Sequence, residues 1–135
     1  MTLTGGCNCG RVRYSIQGEP LRVGICHCER CRKESGSAFS YSGVWKREAV
    51  TLSGELGLGC WESRAGGDRF CQRCGSSLFC WSEGSDEIEV KLGTLDDPPG
   101  APPPCYELWT IRREHWLAAL EGAEQHDRDR PASGG

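Results

Sequence analysis

Three cysteines fall within six positions in Cys26-His27-Cys28-Glu29-Arg30-Cys31, and this crowding limits what the chain can become. Disulfides take thiols in pairs, and three neighbours leave one over. A divalent metal instead accepts several thiolates from one tight turn, at about 2.3 Å each. A catalytic zinc usually has three protein ligands and an open position, whereas a structural zinc has four.

Two further pairs, Cys7-Asn8-Cys9-Gly10 and Cys71-Gln72-Arg73-Cys74-Gly75, stand far apart in the chain. Either alone gives two ligands, too few to close a tetrahedron. Together, Cys7, Cys9, Cys71 and Cys74 make a saturated four-sulfur site that ties the N-terminal segment to a late hairpin and couples metal binding to folding. The competing reading of Cys71 and Cys74 is a thioredoxin-like dithiol, which would need a strand-to-helix context that is not apparent.

The cluster at Cys26, Cys28 and Cys31 lacks a fourth local ligand. His27, Cys60, Cys80, Cys105, a water or a substrate thiol could complete it. In an extended segment His27 points away from its two neighbours, which favours a supporting or substrate-facing role. Cys60, Cys80 and Cys105 sit singly among apolar residues and read as small buried hydrophobes.

Ten cysteines in 135 residues would suit a disulfide scaffold after a signal peptide, but Met1-Thr2-Leu3-Thr4-Gly5-Gly6 has no charged or apolar leader. A reducing, cytoplasmic setting is expected, where clustered cysteines favour metal. No apolar run approaches the roughly 20 residues that span a bilayer. A net charge of −3 with scattered basic residues argues against a nucleic-acid surface.

Nineteen glycines and many short apolar runs predict a mainly β protein. Strands are expected over 11–16, 21–26, 38–45, 50–52, 57–63, 69–72, 78–82, 87–92 and 105–111, with a turn at 65–68. Glu29–Glu34 suits one helical turn, and Trp116, Leu117 and Leu120 are spaced for a short C-terminal helix. Residues 96–104 hold five of the seven prolines and form a crossover. Residues 1–121 are expected as one zinc domain, and the polar stretch 122–135 as a disordered tail. The five tryptophans (45, 61, 81, 109 and 116) read as core before pocket walls.

Gly5-Gly6-Cys7-x-Cys9-Gly10-x-Val12-Arg13-Tyr14, Cys26-His27-Cys28-x-x-Cys31-Arg32-Lys33-x-Ser35-Gly36 and Phe70-Cys71-x-x-Cys74-Gly75-Ser76 resemble the glutathione-dependent formaldehyde-activating enzyme family, which also includes centromere protein V. The likeness runs from about residue 3 to 117 and ends in a Trp109…Arg113…Trp116 pattern. It departs from the family at Cys105, near which many members carry a histidine. The resemblance implies an Mss4-like β fold and two zinc ions, one structural on Cys7, Cys9, Cys71 and Cys74, the other on Cys26, Cys28 and Cys31. It implies a carbon–sulfur lyase joining formaldehyde to glutathione as S-(hydroxymethyl)glutathione, or cleaving that adduct.

A zinc with one open position can lower the pKa of a substrate thiol. Arg32, Lys33 and Ser35 are candidates to hold glutathione, since an arginine fork grips a carboxylate; the alternative is a solvated helix face. Two other functions compete: the same chemistry on another small thiol or aldehyde, and a non-enzymatic zinc module that binds a protein.

Overall fold

The structure is a computed structural model that describes residues 1–61, 64–97 and 100–131, and only the backbone at 60, 61 and 64–66. It is mainly β. The described strands are β1 (Thr2–Gly6), β2 (Arg13–Gln17), β3 (Arg22–Cys26), β4 (Ser40–Lys46), β5 (Val50–Ser53), β6 (Leu56–Trp61), β7 (Arg64–Cys71), β8 (Ser77–Cys80), β9 (Glu87–Lys91), β10 (Tyr106–Leu108) and β11 (Glu124–Gln125). One α-helix, α1 (Glu29–Ser35), and single 3₁₀ turns at Arg47–Ala49, Leu92–Thr94 and Thr110–Arg112 complete the set. The chain forms two compact units: Met1–Arg22 with Ser42–Pro102, and Val23–Tyr41 with the chain from Pro103 onward.

The first unit is built from two antiparallel arrangements. β1, β2 and β5 form a three-stranded sheet in which Tyr14 faces Leu52 and Ile16 faces Val50. The second runs in the order β4-β9-β8-β7-β6, with Trp45 opposite Ile88. The polar–apolar alternation read in 11–16 does what a period of two requires: Tyr14 and Ile16 are buried, and Arg13 and Gln17 are exposed. Val12, Ile16, Trp45, Leu78, Phe79, Ile88 and Val90 make the core. Tyr14 meets Phe79 edge-on at 5.1 Å, and the Trp45 indole donates to the Gly18 carbonyl, so the large rings bury without orphaning their polar atoms.

The second unit carries α1 and the order β11-β10-β3, both pairings parallel. Val23 and Ile25 are its buried apolar residues, joined by buried His27 and Glu107. The helix begins at Cys28, whose side chain accepts from the Cys31 amide, and ends at Gly36 in the left-handed region.

Three expectations are corrected. Residues 65–68 lie within β7 rather than in a turn; a Cβ at Gly67 would press on the Trp81 carbonyl and the Cys80 sulfur, so this glycine serves close strand approach. No C-terminal helix forms over 113–120: the Leu120 amide donates to the Glu107 carboxylate instead of a helical carbonyl, and Trp116 is 73% exposed. The stretch from 122 to 131, expected as a disordered tail, contains β11, and the Trp109 amide donates to the Arg128 carbonyl. Its anchors are polar, which an apolar-anchor criterion passes over.

Candidate metal centres

The first centre gathers four sulfurs. Cys7 follows β1, and Gly10 at φ +82 turns the chain back so that the Cys7 amide reaches the Val12 carbonyl. Cys71 ends β7, and Gly75 at φ +80 makes the matching turn, donating its amide to the Cys71 carbonyl. A side chain at either glycine would be strained in that region. The two turns are stitched by the Asn8 amide, which donates to the Ser76 hydroxyl at 3.1 Å.

The sulfurs of Cys7, Cys9, Cys71 and Cys74 lie within 4.8 Å of one another. Cys7 and Cys9 are 3.6 Å apart, and Cys9 and Cys71 3.7 Å. A disulfide is about 2.05 Å long, whereas a tetrahedron with metal–sulfur bonds of about 2.3 Å has edges of about 3.8 Å. The donor set therefore fits a thiophilic divalent metal. Amides of Val12 and Cys74 point at the Cys7 and Cys71 sulfurs, at 3.2 and 3.5 Å, as donors that favour thiolate.

The thiols do not share one tendency to ionise. The Ser76 hydroxyl and amide pull Cys74 down to about 5. Burial raises Cys7, but the Val12 amide and the Cys9 and Cys71 thiols outweigh it and lower the group overall. Cys9 is pushed up to about 11: the Arg11 amide lowers it, and burial with the three neighbouring cysteines overrides that. Like charges so close cannot all form without a cation among them.

The second centre has three sulfurs, on Cys26, Cys28 and Cys31, again within 4.8 Å. Cys26 ends β3, Cys28 caps α1, and Cys31 lies in its first turn, with its amide 3.3 Å from the Cys28 sulfur. All three are half-buried. Cys26 is raised by Cys31 and by burial, and Cys28 by burial first. This set also fits a thiophilic cation, with one ligand fewer.

His27 does not join the ligands. It is 1% exposed, and its Nε2 lies 2.8 Å from Glu107 Oε1. Glu107, on β10, also accepts from the Leu120 amide and the Gln125 side chain, both at 2.8 Å. Burial would raise this carboxyl, but those donors, His27 and Arg113 bring it down to about 2. His27 Nε2 thus faces a carboxylate, the arrangement that fixes ring orientation beside metal ligands.

The remaining candidates are placed as follows. Arg32 pairs with Glu114 and donates to the Arg112 carbonyl at 3.0 Å. Lys33 pairs with Glu29 one turn earlier and is 78% exposed. The Ser35 hydroxyl faces the backbone carbonyls of Arg32 and Phe39. Cys80 is half-buried and Cys105 exposed rather than buried; neither joins a cluster, and the Cys60 and Trp61 side chains lie outside the description. Trp45 is core, Trp81 lies under Arg47 and Arg69, and Trp109 lies under Arg128.

Residues 2–112 match the family described as "Glutathione-dependent formaldehyde-activating enzyme", and the chain belongs to that family. A protein of Halomonas elongata, named "Putative glutathione-dependent formaldehyde-activating enzyme", is 26% identical over 93% of this chain and 85% of its own length. One of the same name from Penicillium rubens is 32% identical over 64% of this chain and half of its own length. A crystal structure of a Rhodobacter sphaeroides protein shares the fold, with a TM-score of 0.54 and 22% identity over 75% of this chain and 92% of that one. Among the described residues no helix is long and apolar enough to cross a membrane.

Proposed function

We propose that the chain is a zinc-dependent carbon–sulfur lyase that forms and cleaves S-(hydroxymethyl)glutathione. The observation that carries this reading is the inequality of the two cysteine sets: four sulfurs in one, three half-buried sulfurs in the other. The family name supplies the substrates. Zinc is the metal both sets suit, one ion structural and the other reactive. Cys26, Cys28 and Cys31 would hold a zinc ion, which would supply Lewis-acid chemistry that favours ionisation of a substrate thiol.

In the forward direction the glutathione sulfur attacks the formaldehyde carbon. The carbon–sulfur bond forms as the carbonyl electron pair moves onto oxygen, which takes a proton; the reverse step returns thiol and aldehyde. Cys26, Cys28 and Cys31 hold the metal from a strand end and a helix start, two elements whose hydrogen bonds limit their drift. Glu107 holds His27, and with it the peptide between two ligands. Arg32 stands next to Cys31 but is already paired with Glu114; Lys33 and Ser35 are the other candidates on the same helix to contact glutathione.

One observation favours a second reading, a protein-binding zinc module: Ile111 and Trp116 are 54% and 73% exposed. The deciding experiment is exchange NMR on equilibrated formaldehyde and glutathione. Zinc-loaded wild type should accelerate adduct exchange, and Cys28→Ser should not. No acceleration by protein holding both zinc ions would reject the lyase reading.

A further inference from the structure

A cleft of about 290 Å³ opens beside α1, lined by Arg32, Ile111, Arg112, Arg113, Glu114 and His115. Its volume suits the end of a small molecule better than a whole tripeptide. The cations around it differ in what already holds them. Arg32 is spent on Glu114 and the Arg112 carbonyl. Arg113 turns to Gln125 and lies 3.5 Å from Glu107. The Arg112 guanidinium has no hydrogen bond or ion pair among the described residues; it acts only at longer range on Glu29, whose carboxyl is lowered first by Lys33. The His115 ring likewise has no hydrogen-bond partner among them and bears only on the charge of Glu114.

The backbone holds Arg112 there at a cost. Trp109 is the one non-glycine residue with positive φ among those described, at φ 56 and ψ 45. A bulky side chain in that region is strained and persists only when its surroundings over-determine it. Here the Trp109 amide donates to the Arg128 carbonyl at 3.1 Å, the indole donates to Asp129 at 2.8 Å, and Arg128 lies over the ring. The bend starts the Thr110–Arg112 turn, which Arg32 then fastens to α1. Two links run from this turn to the three-cysteine centre. Arg32 follows Cys31 in the helix, and Leu108 lies opposite Cys26 in the β3–β10 ladder.

We propose that Arg112, with His115 beside it, binds a carboxylate of the thiol substrate, and that in glutathione this is the glycyl carboxylate. This rests on the reading that glutathione brings its thiol to Cys26, Cys28 and Cys31. A planar guanidinium with both N–H edges uncommitted is the fork that carboxylates match. The glycyl end is the better fit of the two, because the γ-glutamyl carboxylate carries an ammonium beside it. That ammonium would face Arg112 and Arg113 with like charge.

The test is calorimetric titration of the zinc-loaded full chain with glutathione and with its glycyl ethyl ester, in wild type and Arg112→Gln. The same titrations on the cobalt-loaded protein report thiol arrival at the metal as a change in the cobalt absorption bands that the protein's own cysteines already give. Wild type should bind the acid about tenfold more tightly than the ester, as a charge-assisted bidentate contact requires. Arg112→Gln should bind both as weakly as wild type binds the ester, with the wild-type change in the cobalt bands still obtained at saturation. Equal affinity of wild type for acid and ester, with the cobalt bands changed alike by both, would overturn the assignment and leave the lyase reading standing. Failure of any glutathione to alter the cobalt bands or release heat in wild type would overturn both.

Discussion

The imidazole of His27, set between two metal-ligand candidates, is 2.8 Å from the carboxylate of Glu107 on β10, and both side chains are almost fully buried. The pair joins the loop that presents Cys26 and Cys28 to a strand 80 residues later. Removing the carboxylate strips His27, the Leu120 amide and Gln125 of a shared acceptor. A buried donor left without its acceptor costs about 1–3 kcal/mol, and a loosened His27 frees the peptide between two ligand candidates, which lowers metal affinity at that centre. Glu107→Ala should show both effects, by urea unfolding and by chelator competition, with zinc at Cys7, Cys9, Cys71 and Cys74 still bound. Wild-type affinity at both centres would remove the proposed role of Glu107.

The same carboxylate sets a pH limit on stability. Its folded pKa, about 2, lies below the ordinary value of 4.5. The unfolded chain therefore binds more protons in this window, and stability falls with falling pH. Glu107 contributes fully above about 4.5, and its contribution disappears as the pH drops through about 2. The difference in melting temperature between wild type and Glu107→Gln should be constant from pH 7 to 5 and shrink below it. A difference unchanged down to pH 2 would mean the carboxylate titrates alike in both states.

How much of this was legible in the sequence depended on how local each signal was. The cysteines are spaced within turns, so each short run could be read from a few adjacent residues. Their sorting into four and three followed from ligand count. Glu107 could not be found this way. It sits between Tyr106 and Leu108, so alternation reads it as the outward residue of a strand, whereas it is 2% exposed. Its burial depends on His27, Leu120 and Gln125, which no periodicity connects to it. Trp116 and Leu120 mimic a helical stripe, but a stripe needs a surface to cover, and Trp116 has solvent. Arg112 carried no motif, and its freedom becomes visible only once Arg32 and Arg113 are seen to be occupied.

Substitutions at the two centres should separate folding from reactivity. On the proposed zinc assignment, Cys74→Ser removes one ligand from a set that would tie β1 to the end of β7, where metal-binding energy would also be folding energy. Lost solubility and broad amide spectra are expected. Cys28→Ser should leave a folded chain with one zinc by mass spectrometry under native conditions, and no acceleration of adduct exchange. Mild chelation of wild type should reproduce the Cys28→Ser state first, because a three-cysteine site holds its metal with one protein ligand fewer. If both variants unfold alike, both metals are structural and the open-site chemistry fails.

Gly24 tests the second unit without touching a ligand. It lies opposite Tyr106 in the parallel β3–β10 ladder, and a Cβ there would fall inside the space of the Tyr106 ring. The ring cannot simply lift away, because the Arg130 guanidinium stacks on it, 4.6 Å from its centre. Gly24→Ala should therefore act as overpacking and destabilise by about 1–3 kcal/mol, more than the change in strand propensity would explain. Adding Tyr106→Leu gives the methyl room, so the double variant should be more stable than the sum of the two single changes predicts. The measurement is a double-mutant cycle in urea. Strict additivity would show that the ring does not press on Gly24, and that its glycine is kept for backbone reasons alone.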